Sequence, residues 1–283
     1  MIAEPKGRPT SRRRRKFHAA PPPFLGSAAG RTPLLGLLRA TIRSFGFALV
    51  LVLAGLDYTR TLCFCRRSEP IRRRALWLQR WSRIASRLIG LQLHHCGTPP
   101  SFGMIVSNHL SYLDILAYSA LVPCVFVAKK EVASWPVLGL FARMAGTIFV
   151  DRTRRMKVAG TNLRITQVLQ AGTVVVLFAE GTSSDGRSVL PFRSSLLEPA
   201  APSQCPVAPA AIGYHLDDGS VPDEVCYWCD MTLLPHLLNL FAKRAVRVHV
   251  AFGVGELRAL HYSRKKLARE LHEFVSELHS MLN

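Results

Sequence analysis

A chain of 283 residues that is 49% hydrophobic can bury a full core without help from a disulfide frame. Its formal charge of +19 is lopsided: residues 1–80 hold 17 Lys+Arg against Glu4, Asp57 and Glu69, a net of +14, leaving +5 on the other 203. A mildly charged domain behind a basic, aromatic-poor leader does not suit base stacking on nucleic acid, and it does suit an anionic bilayer surface.

Residues 1–32 are rich in Pro, Gly, Arg and Ser and contain Arg12-Arg13-Arg14-Arg15-Lys16. Such a composition cannot bury enough apolar area to offset backbone ordering, which predicts a disordered basic leader. The basic run reads as a nuclear-localisation signal or as a membrane-surface arm, and the segments that follow favour the arm.

Residues 45–56, FGFALVLVLAGL, are apolar or small throughout. Twelve residues are short for a span, which takes roughly 20. Arg39 and Arg43 precede the run and Arg60, Arg66 and Arg67 follow it, so flanking charge sets no orientation. The run fits a helix dipping into one leaflet better than a crossing helix, with a tilted span left open, and no small-residue cleavage site marks it as a secretory signal. Residues 76–93, LWLQRWSRIASRLIGLQL, place Leu76, Trp77, Trp81, Ile84, Leu88 and Leu91 at helical spacing, with Arg80, Arg83 and Arg87 on another face. Two readings stand: a basic amphipathic helix in a lipid interface, or a domain helix with its apolar face on the core. Residues 33–98 are assigned to membrane-associating helices and 99–283 to the main domain.

From residue 102 short apolar runs alternate with helical periods. The runs are 104–106, 125–127, 148–150, 174–178, 207–212 and 246–250. Helices are expected over 112–121, 135–145, 154–171, 231–243 and 264–281, with Gly172 stopping the third and Ser263 capping the last. Alternation of this kind predicts an α/β fold, a mostly parallel mixed sheet covered by helices.

Seven cysteines in a chain of this type suggest reduced thiols. Cys226-Tyr227-Trp228-Cys229 has the spacing of a metal or redox site, but no second such pair exists and His215 and His236 lack finger-like spacing. The plainer reading is two half-buried thiols in a strand, and no metal is expected. His94-His95-Cys96, just before a Gly97-Thr98-Pro99-Pro100 loop, is read as equally plain.

The stretch with chemical content is Ser107-Asn108-His109-Leu110-Ser111-Tyr112-Leu113-Asp114. On a continuous helix, residues five apart diverge by about 140°. Ser111 and Asp114, however, have the spacing of a capping box, which puts the helix start at Ser111 and His109 in the preceding turn. From there the imidazole can fold back onto Asp114. A carboxylate on one ring nitrogen fixes the tautomer and leaves the other nitrogen to take a proton. The chain holds no serine in a G-x-S-x-G elbow, so the base would act on a hydroxyl supplied by a substrate. The competing reading is a capping Asp and a turn His without chemistry.

Three further blocks add to that stretch, and two of them end apolar runs with polar groups, where an α/β sheet forms its binding crevice. They are Gly146 through Asp151-Arg152, Phe178-Ala179-Glu180-Gly181-Thr182, and the proline-bearing run Val207 through Ile212. In that order, with His109-x4-Asp114, they resemble the glycerolipid acyltransferase family of the lysophosphatidic acid acyltransferase type, over roughly residues 100–215. The resemblance implies that 99–283 is an acyltransferase domain. It would move an acyl group from a thioester, on coenzyme A or acyl carrier protein, to a lysolipid hydroxyl, with no bound cofactor. It makes His109 the general base and Asp114 its orienter, with Arg152 pairing an anionic headgroup and Glu180, Gly181 and Thr182 lining the acceptor pocket. It further implies a protein at the cytoplasmic face of the inner or plasma membrane, monotopic or single-span.

The chain also departs from that pattern. Ser183 stands where many phosphate-recognising members have arginine, Ala179 where proline is common, and Pro191-Phe192-Arg193-Ser194-Ser195 replaces a Phe, two basic residues and Gly. Loss of a fixed, bidentate arginine weakens the case for a phosphate monoester headgroup. Arg187 or Arg193 could compensate; otherwise the acceptor is another lysolipid. Lysophosphatidic acid is the first expectation, and a lyso-ornithine lipid is the alternative, since the Glu-Gly-Thr-Ser-Ser-Asp-Gly loop looks like the branch with that activity. A reading of another class is a basic membrane- or nucleic-acid-binding protein with a decayed site, which the intact His109, Asp114, Arg152 and Glu180 oppose.

Overall fold

The computed structural model describes residues 33–63, 70–151, 155–198, 206–253, 257–258 and 263–282. The leader 1–32 and Arg152 lie outside them. In chain order the elements are α1 (Pro33–Cys63), α2 (Pro70–Ile89), β1 (Leu91–Cys96), β2 (Met104–Ser107), α3 (Leu113–Leu121), β3 (Cys124–Lys129), α4 (Leu138–Met144), β4 (Ile148–Val150), α5 (Arg155–Gln170), β5 (Val174–Phe178), β6 (Pro206–His215), α6 (Val221–Glu224), α7 (Leu233–Ala242), β7 (Val246–Phe252), β8 (Leu257–Arg258) and α8 (Arg264–Ser280). Short 3-10 turns cover Lys130–Ser134 and Ser194–Leu196.

The sheet runs β1-β7-β6-β2-β5-β3-β4, and β8 pairs with β6. The pairs β1·β7, β6·β2, β2·β5, β5·β3 and β3·β4 are parallel, while β6·β7 is antiparallel. The mostly parallel mixed sheet is therefore the one the sequence predicts. The central strands β2 and β5 are buried on both faces and read as continuous apolar runs for that reason. Side chains alternate along β5. Val174, Val176 and Phe178 join the layer with α3 and α7, and Val175 and Leu177 join the layer with α5 and α8. In α8, Leu267 and Leu271 are fully buried, and burial of each contributes about 1.5–3 kcal/mol. The α8 start is capped as expected, Ser263 accepting from the Lys266 N–H at 3.4 Å, and Gly172 follows α5 at φ +67.

Pro209 sits in mid-strand, where a proline would normally break a ladder. The β8 partner covers Pro206 and Val207, and the β7 ladder begins at Ala210, so Pro209 falls between the two. Its ring lies against Gly253, where a Cβ would stand 2.8 Å from the ring carbon. The missing side chain at 253 is what lets the proline in.

Several expectations need correction. The residues 91–96 are strand β1, hydrogen-bonded to β7, and belong to the sheet and not to the segment of membrane-associating helices. The helix expected over 135–145 shrinks to α4, because Trp135 before Pro136 is held extended (ψ 132). Cys226 and Cys229 lie in a loop after α6, not in a strand; Cys226 is buried and Cys229 exposed. Burial pushes the Cys226 thiol far up, and its Sγ donates to the Asp185 carbonyl at 3.4 Å.

The two N-terminal helices change most. α2 turns its tryptophans inward: Trp77 is 2% exposed, packs with Ala54, Tyr58, Phe141 and Ala145, and donates its Nε1–H to the Ala54 carbonyl. The Trp81 Nε1–H donates to Asp57 at 2.9 Å. The tryptophans thus follow the domain-helix reading, while Leu76 and Ile84 of the same stripe are exposed. α1 has 31 residues, about 46 Å of helix, of which Leu34–Arg60 is long and apolar enough to cross a membrane. Twelve residues were an underestimate because Arg39 and Arg43 do not interrupt the helix. Arg39 donates to the Ala242 carbonyl, and Arg43 donates to the carbonyls of Phe241, Lys243 and Arg244, at the C-terminal end of α7. Those carbonyls lack intrahelical partners and sit at the negative end of the α7 dipole. The outer face of α1 exposes Leu34, Leu38, Ile42, Phe45, Leu49 and Leu56.

Candidate active site

The polar residues gather at the carboxyl ends of β2 and β5, adjacent parallel strands with Ser107 paired to Phe178. Beyond Ser107 the chain must turn into α3, and Asn108 anchors that turn. Its side-chain amide donates to the Ile212 carbonyl and accepts from the Ile212 N–H, both at 2.9 Å, clipping the end of β2 to β6. Ser107 and Tyr118 share a buried hydroxyl contact of 2.6 Å beneath it.

His109 and Asp114 meet as the sequence suggests. His109 Nδ1 is 2.7 Å from Asp114 Oδ2. The capping box forms only in part. Oδ2 accepts from the backbone N–H of Ser111 at 3.2 Å and of Leu110 at 2.7 Å, but the helix begins at Leu113 and the buried Ser111 hydroxyl makes no hydrogen bond among the described residues. The other carboxylate oxygen, Oδ1, accepts from the Tyr214 hydroxyl at the far end of β6. Asp114 is wholly buried, and hydrogen-bond donors meet both of its oxygens. An acceptor-only carboxylate requires the proton on His109 Nδ1, so Nε2 carries the lone pair. Nε2 has no hydrogen-bond partner among the described residues, and the imidazole is 23% exposed. The ring stacks on Phe178 at 4.2 Å between centroids, which fixes its second face.

The Glu180 turn lies against the His109 turn: the Ser184 N–H donates to the His109 carbonyl at 3.0 Å. Glu180 is 2% exposed, and neither of its carboxyl oxygens is hydrogen-bonded among the described residues. Burial pushes its pKa up to about 8; the neighbouring backbone N–H groups of Leu190 and His109 pull it down and the Asp114 charge adds a smaller upward push. Gly181 takes φ +74 and donates its N–H to the Phe178 carbonyl, the tight turn that ends β5. Thr182 is exposed. The Ser183 hydroxyl is already used, donating to the Tyr227 carbonyl, while the Arg187 guanidinium is exposed beside Asp185. Arg193 is exposed, and its backbone N–H donates to the Ala179 carbonyl at 2.8 Å, next to Glu180. His109, Asp114, Glu180, Gly181, Thr182 and Arg193 therefore fall in one region at the sheet's carboxyl edge.

Sequence reasoning missed Tyr214 and the role of Phe178. Tyr214 lies 100 residues from Asp114 and has no local signal, although its place at the end of a buried strand is where a polar group would be looked for. Burial, then the Asp114 charge, raises the Tyr214 pKa well above its usual value, so the phenol stays a donor. His236, read only for metal spacing, instead bridges the Tyr112 hydroxyl and the Cys226 carbonyl, at 3.0 and 3.1 Å, behind the α3 start.

Comparison with known proteins agrees with this geometry. The sequence profile of the Acyltransferase family matches residues 99–213, which contain β2 through most of β6. The chain is 37% identical over 213 residues to the lyso-ornithine lipid O-acyltransferase of Brucella abortus, covering 69% of this chain and 79% of that protein. It is 34% identical over 248 residues to the enzyme of the same name from Rhizobium meliloti, covering 82% and 84%. It is 33% identical over 173 residues to the 1-acyl-sn-glycerol-3-phosphate acyltransferase of Neisseria meningitidis, covering 60% and 66%. The crystal structure of the 1-acyl-sn-glycerophosphate acyltransferase of Thermotoga maritima superposes with a TM-score of 0.66 over 88% of this chain and 97% of that one, at 18% identity, a likeness of fold. With relatives of this identity matched over most of their length, the chain belongs to the acyltransferase family.

Proposed function

We propose that the protein transfers a fatty acyl group from a thioester to the free hydroxyl of a lysolipid, with His109 as general base. One observation carries the reading: a half-buried His109 whose Nε2 has no partner among the described residues and whose other nitrogen is held by a buried, fully bonded carboxylate. Nε2 takes the proton of the acceptor hydroxyl as its oxygen attacks the thioester carbonyl carbon. The tetrahedral adduct collapses with cleavage of the C–S bond, and the departing thiolate takes the proton back from Nε2. No acyl-enzyme forms, and holding donor and acceptor side by side supplies much of the rate. Asp114 stabilises the imidazolium between the two transfers.

Glu180, Gly181 and Thr182 are assigned to the acceptor pocket, with Arg152 and Arg193 as partners for a headgroup anion. Lysophosphatidic acid and lyso-ornithine lipid fit the relatives equally. The second is favoured by Ser183, which carries no charge and whose hydroxyl is bound to Tyr227. The donor is a coenzyme A or acyl-carrier-protein thioester. α1 is assigned to one leaflet at the cytoplasmic face. Its first half is bonded to α7 through Arg39 and Arg43 and its second half packs on α2 through Ala54, so a domain held along the helix opposes a crossing.

Purified protein given labelled acyl-coenzyme A and a panel of lysolipids tests the reading. Incorporation into lysophosphatidic acid, lyso-ornithine lipid or both is expected, and the ratio assigns the acceptor. No incorporation into any lysolipid, with either coenzyme A or carrier-protein donor, overturns it.

A further inference from the structure

The opposite end of the sheet holds a cavity that the transfer chemistry does not use. Its volume is about 480 Å³, and its lining includes Arg74, Arg143, Arg164, Gly146, Thr147 and Gln167, with no carboxylate among the described residues. A bound water occupies about 30 Å³, so the space takes a group of many atoms. The cavity lies where β3 and β4 begin, next to the start of α2 and the end of α5. β4 is three strands from β2, about 14 Å across the sheet, and the His109 turn is at the other end of these parallel strands.

Three guanidiniums around one cavity repel each other unless an anion joins them. Among the described residues none of the three has an ion-pair or hydrogen-bond partner, and the Arg74 Nε is buried with no acceptor. A buried charged donor left unpaired costs about 1–3 kcal/mol or more, so the empty position at Arg74 calls for an acceptor. Gly146 (φ +80) sits under the Arg74 stem, with Arg74 Cδ 3.6 Å from where a Cβ would be, and the neighbouring Thr147 and Gln167 add neutral donors. Arginine matches tetrahedral oxyanions through paired N–H groups.

We propose that this cavity binds a phosphate-class oxyanion, at a site separate from the acyl-transfer centre. Two sources share that chemistry: the headgroup of a bilayer phospholipid and a soluble phosphate. The headgroup has the better position. Ala145, which lines the cavity, packs in one cluster with Ala54 and Tyr58 of α1, so one wall of the cavity is shared with the helix that carries the exposed apolar face.

The test uses the full chain with inorganic pyrophosphate, read by thermal unfolding and calorimetry, and with vesicles of phosphatidylcholine alone or mixed with phosphatidylglycerol. Wild type is compared with Arg164→Gln, whose side chain is exposed, with Arg74→Lys, and with the Arg74→Gln/Arg164→Gln pair. The basic leader is unchanged in every variant, so its own binding cancels. Pyrophosphate should stabilise the wild type and bind about tenfold more weakly per guanidinium lost, with Arg74→Lys intermediate. If retention on phosphatidylglycerol vesicles at raised salt falls in step, the source is the headgroup; if only pyrophosphate binding falls, it is a soluble phosphate. Equal pyrophosphate binding by wild type and the Arg164→Gln variant, or none by wild type, overturns the proposal. Acyl transfer at saturating substrate should be retained in Arg164→Gln, which separates loss of this site from failure of the catalytic reading.

Discussion

The turns after β2 and β5 each bury a carboxyl group, and they treat it in opposite ways. Asp114 is surrounded by donors: two backbone N–H groups, the His109 imidazole and the Tyr214 phenol. Glu180, one strand over, has no well-formed hydrogen bond to either oxygen among the described residues, and burial outweighs the nearby Leu190 and His109 N–H groups and pushes its pKa up to about 8. Near neutral pH Glu180 is mostly a neutral acid. A neutral buried acid can donate a hydrogen bond, which an ionised one cannot. Asp114 is thus set for holding an imidazole, and Glu180 for meeting a polar group that arrives with substrate.

The largest effect should come from breaking the first turn. His109→Ala removes the base and should lower turnover by about 10²–10⁴-fold, the usual range for general acid–base catalysis. Asp114→Asn should fall in the same range, since an amide cannot serve all these donors and its NH2 can turn the imidazole to the wrong tautomer. Single-turnover acylation with thermal unfolding in parallel checks both. Wild-type-like turnover in either removes His109 from the chemistry.

Glu180 gives the next effect, through pH. Its folded-state pKa is above its unfolded value of 4.5, so the folded protein binds the extra proton. Its contribution to stability is full below about pH 4.5 and is lost as pH rises through about 8. Glu180→Gln cannot ionise, so relative to wild type it should gain stability across that window, by at most about 5 kcal/mol. Denaturant unfolding at several pH values reads the difference. A variant whose stability tracks wild type at every pH would show that Glu180 is ionised and paired after all.

Tyr214→Phe should be smaller, about 1–3 kcal/mol, because it leaves one oxygen of a buried carboxylate without its donor while the His109 contact stays. Urea unfolding measures the stability change. Turnover should drop less than in Asp114→Asn, since Nδ1 remains bonded to Oδ2.

What could be read ahead of the structure follows from the range of each interaction. The continuous apolar run of β5 and the helical spacing of α8 are local, and the fold class came from the alternation of such segments. The His109–Asp114 pair was legible because five residues and one turn bring them together. Tyr214 was not, since only strand order places it beside β2. The twelve-residue estimate for α1 failed for the same reason. Arg39 and Arg43 look like breaks in an apolar run until the carbonyl end of α7, some 200 residues on, is seen to receive them. The α2 tryptophans had two readings because an apolar stripe has the same spacing whether it faces lipid or Phe141 and Ala145.

The smallest effect separates two accounts of the β2 turn. In a full capping box the Ser111 hydroxyl would accept from the first turn of α3, and Ser111→Ala would cost about 1 kcal/mol. The observed turn works differently: Asp114 reaches back to the Leu110 and Ser111 N–H groups, and the Ser111 hydroxyl is buried without a partner among the described residues. Removing an unpaired buried hydroxyl relieves a desolvation cost, so Ser111→Ala should be neutral or slightly stabilising. Unfolding by denaturant resolves a difference of this size. A loss near 1 kcal/mol would mean that the serine caps the helix, and that part of the order credited to Asp114 belongs to its neighbour. Because Asp114 keeps its backbone donors and His109 either way, turnover in Ser111→Ala should match wild type.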